Sequence, residues 1–411
     1  MTPSLIDGLS GGPRDVRRAA ALVASACVLQ VAESLLPHPI PGVRLGLANM
    51  VTLVTLAELG MPAAIEVALL RTVVGSLVLG TFLTPGFILS FCGAAASTLV
   101  MWALWRFSSR FPAFGPSVVG ISMASAVVHN ASQLFLAYLI MMRDTSVFYF
   151  IPWLVISGVV MGWLTGLVAA EVIRSGGGAY ALSSGGLASQ DDRPSASGAF
   201  FSRLSPGARM ALALAALLLA VFTGRPGGFL LLAAGLLAVM LATRQPAASY
   251  RLLFKRLRKL AWLASVSFFF PLFFDRGGAV IFSAGPLTAT RAGLAAGSVF
   301  AMRIAVMGWI AFLLNLYSTP SEIAAGISAL GRPFRRFGFP ADRIGAVITM
   351  AWGEIPAFSS RAREAVNSVL SGAGRTGWRR EPLRWLVRLT AAVVARMCRP
   401  GEQDAAGTAA A

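Results

Sequence analysis

The chain has 411 residues, 56% of them hydrophobic and 13% charged, with a mean hydropathy of +0.72. Soluble domains carry about 25% charged residues, so a wholly water-facing surface is excluded and the length is better counted in apolar spans of about 20 residues. The net charge of +18 is almost all arginine placed at the flanks of apolar runs, which argues against nucleic acid as a partner and fits the positive-inside rule.

In chain order, spans are predicted near 19–36, 45–60, 62–82, 85–105, 117–141 and 149–173. Arg14, Arg17 and Arg18 precede the first, Arg106 and Arg110 follow the fourth, and Arg174 follows the sixth. Arg44 and Arg143-Asp144 fall on the other side. This asymmetry predicts a multi-pass protein of the cell membrane with a cytoplasmic N-terminus. The arginines ahead of the first apolar stretch, without a small-residue cleavage site after it, read as a retained span.

Composition then changes. Residues 176–206 are rich in Gly, Ser and Ala and read as a flexible linker. The expected organisation is a six-span domain over 1–175, this linker, a second helical domain over 207–400 and a disordered tail at 401–411. The second domain opens with short spans at 208–222 and 227–242. The basic stretch from Arg251 to Lys259 alternates charge with apolar residues, as in a helix lying on the membrane surface. Spans near 260–274 and 293–317 follow. From Ser318 to Gly377, recurrent arginines predict amphipathic cytoplasmic helices, because arginine at bilayer depth is costly. The stretch 383–398, with Arg384, Arg388 and Arg396, is too charged for a span. The fold class expected is an all-α membrane protein.

The sequence offers no enzyme chemistry. It has no GxxxxGK[ST] loop, no GxSxG and no HExxH. The two histidines, His38 and His129, and the three cysteines, Cys27, Cys92 and Cys398, have no metal-ligand spacing. Asp191-Asp192 lacks the spacing of a diphosphate–magnesium site. No metal or cofactor is expected.

Polar residues inside the spans are the remaining candidates, since they tend to face a partner or a cavity. They are Glu33, Asn49, Glu58, Glu66, Arg71, His129, Asn130 and Gln133. His129 and Gln133 share a helix face. Such groups either bind a small polar solute or hydrogen-bond helix to helix. Ala20 and Ala24 form a small-xxx-small face on the first helix.

Two resemblances follow from motifs. The order Ser318-Thr-Pro-Ser-Glu322, Arg332-Pro-Phe334, Phe339-Pro340, Glu354-Ile-Pro356 and Ser371-Gly-Ala-Gly-Arg-Thr376 resembles the transmembrane coupling subunit of energy-coupling-factor transporters, the family that includes the cobalt-transport permease. The likeness covers about residues 205–400. It implies two cytoplasmic helices whose terminal arginines dock into paired ATPase subunits. Arg375 fits the first position imperfectly. Arg396 or Arg399 is the nearest match to a degraded second, and no counterpart of the family's last span follows.

The stretches Pro41–Asn49, Leu70–Ser76, Val128–Gln133 and Phe148–Pro152 resemble the Gx transporter family. That family is often labelled heptaprenyl diphosphate synthase component I and is similar to substrate-capturing subunits. The likeness implies six helices with an Ala-x-x-x-Ala face toward the coupling subunit, here Ala20 and Ala24. The expected solute contacts are Arg44, Asn49, Arg71, His129, Asn130 and Gln133. Arg44 and Arg71 favour an anionic solute, although Arg71 has glutamates within reach as alternative partners. Together the resemblances imply a fused substrate-binding and coupling protein of an importer, not an enzyme, with separate ATPase chains, a small solute and the bilayer as partners. The rival reading is a membrane accessory of isoprenoid synthesis.

Overall fold

The computed structural model describes residues 13–35, 46–142, 145–175, 204–274, 278–284, 287–372 and 382–398. The linker at 176–206 lies outside them except for its last three residues, and the tail at 401–411 lies outside entirely. Six helices make the first half: α1 (Pro13–Leu35), α2 (Leu47–Leu59), α3 (Met61–Leu79), α4 (Pro85–Arg110), α5 (Val118–Ala137) and α6 (Ile151–Arg174). A short π-helical turn, Tyr138–Met142, extends α5, and a 3₁₀ turn, Thr145–Phe150, leads into α6. The second half adds α7 (Pro206–Phe222), α8 (Pro226–Ala242), α9 (Ala247–Phe274), α10 (Arg291–Tyr317), α11 (Pro320–Gly331), α12 (Ala341–Gly372) and α13 (Pro382–Cys398). The chain is an all-α membrane protein.

Several helices start the same way. Thr84-Pro85, Ser205-Pro206 and Thr319-Pro320 each put a hydroxyl at the N-cap and a proline inside the first turn. The hydroxyl accepts an otherwise orphaned backbone N–H, and proline has none to lose. At α11 the cap is reciprocal: Glu322 N–H donates to Thr319 Oγ1 at 3.2 Å, and Thr319 N–H donates to the Glu322 carboxylate at 2.9 Å. The Ser-Thr-Pro-Ser-Glu motif is thus the start signal of α11.

Among the described residues, six segments are long and apolar enough to cross a membrane: Met61–Leu79, Pro85–Arg110, Val118–Ile140, Val147–Arg174, Ala247–Phe274 and Arg291–Tyr317. The stretches expected as spans at 45–60, 208–222 and 227–242 fold as α2, α7 and α8, of 13, 17 and 17 residues. At 1.5 Å per residue these reach about 20–26 Å, short of the roughly 30 Å hydrocarbon core. The first predicted span, 19–36, folds as the 23-residue α1, which carries Gln30 and Glu33.

One expectation is corrected. The basic stretch 251–259 is not a separate surface helix; it is the leading half of the continuous 28-residue α9. The Ile355-Pro356 pair lies inside the 32-residue α12, which continues beyond it to Gly372. A β-hairpin joins α9 to α10, with Val280–Ala284 antiparallel to Leu287–Thr290 and a bulge near Ile281. Its Val-Ile-Phe run has the β-branched and aromatic character that favours strands.

The spans α3 and α10 are the hubs, with 67% of each apolar window enclosed by protein, against 6% for α5 and 11% for α9. Helices α5 and α6 approach closely because Gly158, Gly162 and Gly166 recur every four residues on one face. A Cβ at Gly162 would lie 2.6 Å from Met123 Cα, so only glycine fits that contact. On α6, Trp153, Ile156, Val160 and Trp163 form an exposed stripe on another part of the surface, suited to lipid. The two halves share one apolar core: α1 packs on both α3 and α12, and α13 packs on α6 and α12.

Candidate functional site

The first polar cluster sits where α1, α2 and α3 meet. Gly46, in the left-handed region at φ 77°, begins α2. The N–H groups of Gly46 and Leu47 donate to the two Glu33 oxygens at 2.7 and 3.1 Å, so an α1 carboxylate caps the start of α2. That start places Asn49 toward α3, where Arg71 donates to its side-chain oxygen. Arg71 also donates to Gln30 Oε1 at 3.4 Å. Gly75, one turn along α3, leaves room for Gln30: a Cβ there would lie 2.9 Å from its amide nitrogen. The cluster can offer a guanidinium and two reorientable amides to an anionic or amide-bearing group.

The second group lies on α5. Gln133 and His129 bond at 3.0 Å and lie against Gly93 of α4, whose absent side chain admits the imidazole. Asn130 turns the other way, donating to Leu154 O at 3.0 Å and lying 3.4 Å from Ser157 Oγ on α6. Arg71 and Asn49 are therefore brought together, as are His129 and Gln133, while Asn130 ties α5 to α6. Arg44 lies outside the described residues. Sequence reasoning missed Gln30. Its signal was available, because it sits one turn before Glu33 on α1.

Contacts between the halves form a second feature. Arg343, on α12, grips Glu66 of α3 through two hydrogen bonds, 2.8 and 2.9 Å, with the Glu66 side chain only 5% exposed. This is the bidentate fork of a strong, charge-assisted pair. The bonds to Glu66 outweigh burial and hold the Arg343 guanidinium above its ordinary pKa. Glu66 thus serves Arg343 through the only salt bridge formed by either residue among the described residues. Arg256 of α9 donates to the carbonyl of Gly80, and Asn315 of α10 donates to that of Phe82 at 3.3 Å, both in the α3–α4 turn. Arg303 of α10 donates to Ile140 O at 3.3 Å, at the end of the first-half helix α5, and to Thr223 O at 3.0 Å.

Within the second half, Arg209 of α7 forks onto Glu322 at 2.7 and 3.0 Å and also reaches Tyr317 O at 2.5 Å. Burial opposes ionisation of Glu322, but the bonds from Arg209 and Thr319 outweigh it and hold the carboxyl below its usual range. The motif expected to mark the coupling region is therefore clamped to α7 at its first turn.

Ala20 and Ala24 are buried on α1, the helix that packs on α12 and α3. Arg375 and Arg399 lie outside the described residues. Arg396 falls in α13, its side chain likewise outside them.

Comparison with known proteins assigns the two halves separately. Residues 22–172 match the family model described as heptaprenyl diphosphate synthase component I. Residues 198–410 match that of the cobalt transport protein. Similar curated proteins include the energy-coupling factor transporter transmembrane protein EcfT of Listeria innocua, 25% identical over 154 residues, which are 38% of this chain and 57% of that one. The EcfT of Thermosediminibacter oceani is 33% identical over 108 residues, 26% of this chain and 40% of that one. A Ycf92-like protein of Nostoc is 30% identical over 122 residues, 29% and 38% of the two chains. The chain spans about half the length of the curated relatives it matches. The second match takes in more than half of the 411 residues, and the chain belongs to the cobalt transport protein family.

Proposed function

We propose that the chain is a fused substrate-binding and membrane-coupling component of an energy-coupling-factor-type importer for a small solute. Residues 1–175 form the substrate-binding unit, 176–206 the linker and 207–400 the coupling unit. Separate ATPase chains drive it, and Arg375, with Arg396 or Arg399 as a weaker second contact, docks on them. Arg71 and Asn49, with Arg44 nearby in sequence, take the anionic part of the solute; His129 and Gln133 complete the polar lining, while Asn130, expected beside them, instead holds α5 to α6. The protein sits in the cell membrane with its N-terminus in the cytoplasm and catalyses no reaction itself.

The observation that carries this reading is the Arg343–Glu66 pair beside the packing of α1 on α12. The long amphipathic helix that resembles a coupling helix is joined directly to the bundle that resembles a solute-capturing subunit. Two partners held this way can pass a nucleotide-driven change from one site to another, which is what coupling between sites requires.

The test is affinity purification from gently solubilised membranes, followed by mass spectrometry. Two ATPases carrying phosphate loops copurify with the wild-type chain, and Arg375→Glu loses them at an unchanged level of folded protein. Copurification of a prenyl-chain synthase without ATPases overturns the importer reading.

A further inference from the structure

The corner between α11 and α12 holds the short 3₁₀ segment Arg332–Phe337. In six residues it carries three arginines and two exposed phenylalanines, Phe334 and Phe337, with a third, Phe339, two positions on. The arginines share one carboxylate. Arg335 pairs with Asp342 at 2.6 Å, and Arg332 lies 3.8 Å from it. Arg336 packs its guanidinium over the Phe337 ring, 5.0 Å from the centroid. The corner is left with two net positive charges beside apolar surface.

Beneath it lies a groove of about 930 Å³ whose walls are almost wholly apolar, lined by Phe82, Leu83, Met210, Leu214, Phe334 and Phe337 among others. Phe82 and Leu83 come from the first half, in the α3–α4 turn. Met210 and Leu214 come from α7, and the four-residue spacing continues along that helix to Leu218 and Phe222, both exposed. Positions four apart share a helix face. The groove therefore opens onto an apolar stripe about 18 Å long, slightly more than the roughly 15 Å of hydrocarbon in one leaflet.

We propose that this groove is a binding site for an anionic phospholipid. One acyl chain lies in the groove and along the Met210–Phe222 stripe, and the phosphate is held at the Arg332–Arg336 corner. The charge and shape complementarity is specific to this ligand class. A neutral lipid leaves the excess arginine charge unmatched, and a soluble anion leaves the apolar groove uncovered. Because the groove has walls from both halves, the lipid touches both. The proposal goes beyond the importer reading and rests only on the chain's being a membrane protein.

The test uses the full chain, reconstituted in nanodiscs of phosphatidylcholine with a minority of phosphatidylglycerol, then extracted for native mass spectrometry. The wild type retains phosphatidylglycerol in preference to phosphatidylcholine. Arg336→Gln lowers that retention several-fold, and Leu214→Trp, which fills the groove, lowers retention of both lipids. Gel filtration and thermal melting confirm that each variant is folded. Equal retention of the two lipids by the wild type overturns the proposal. So does unchanged retention in Arg336→Gln, and if that variant also loses its copurifying ATPases the corner is assigned to a protein partner instead.

Discussion

Each hub helix carries one deeply buried arginine near its middle, Arg71 on α3 and Arg303 on α10, 5% and 2% exposed. Their surroundings differ. Arg303 donates to two main-chain carbonyls at helix ends, Ile140 and Thr223, and sits 5.9 and 5.7 Å from the ring centroids of Phe229 and Phe300. These acceptors are fixed by the backbone, and the C-terminal end of a helix is where the macrodipole favours a cation. Arg71 donates instead to side-chain amides, Asn49 and Gln30, which can rotate or exchange one partner for another. A buried cation held by carbonyls and rings is a tie; one held by amides can be recruited by a ligand.

Substituting both arginines alike sharpens the contrast. Arg303→Leu orphans two carbonyls and loses two ring contacts, and is expected to cost about 4 kcal/mol, read as a large fall in melting temperature in detergent. The interdomain pair ranks next. Glu66→Gln strands the partly buried Arg343 and is expected to cost about 3 kcal/mol, while Glu66→Arg combined with Arg343→Glu recovers part of it. A thermal-melt double-mutant cycle measures that coupling. Arg71→Leu is expected to cost least, about 2 kcal/mol, because Asn49 and Gln30 can turn to each other. If Arg71→Leu proves as damaging as Arg303→Leu, Arg71 is a second tie and the distinction between the two fails.

The helices were legible because apolar runs are local signals. Where function lies between elements, they were less so. Glu66 and Arg343 are each visible as charged residues in an apolar setting, but 277 positions separate them, and a single sequence does not encode that pairing locally. Arg303 could have been found as the one arginine past the first residue of a 27-residue apolar helix. The Gly158-Gly162-Gly166 stripe was equally readable as a close-packing face. The surface helix predicted at 251–259 failed for a physical reason. Alternating charge describes a helix at an interface, but it also describes the end of a span whose arginine reaches a neighbouring turn, as Arg256 does toward Gly80. Lysine and arginine stems allow both.

Helix α12 is a beam. Its 32 residues make a rod about 48 Å long, bolted near its first turn to Glu66 and bearing α1 along its length. Pro356, near its middle, removes one backbone donor and gives the rod a point of easier flexure. A tilt of about 5° about the bolted end displaces the far end by about 4 Å, given that length. On the importer reading, a movement of a few ångströms at the far end of α12 reaches Glu66 as a small rotation only so far as the helix stays straight through Pro356.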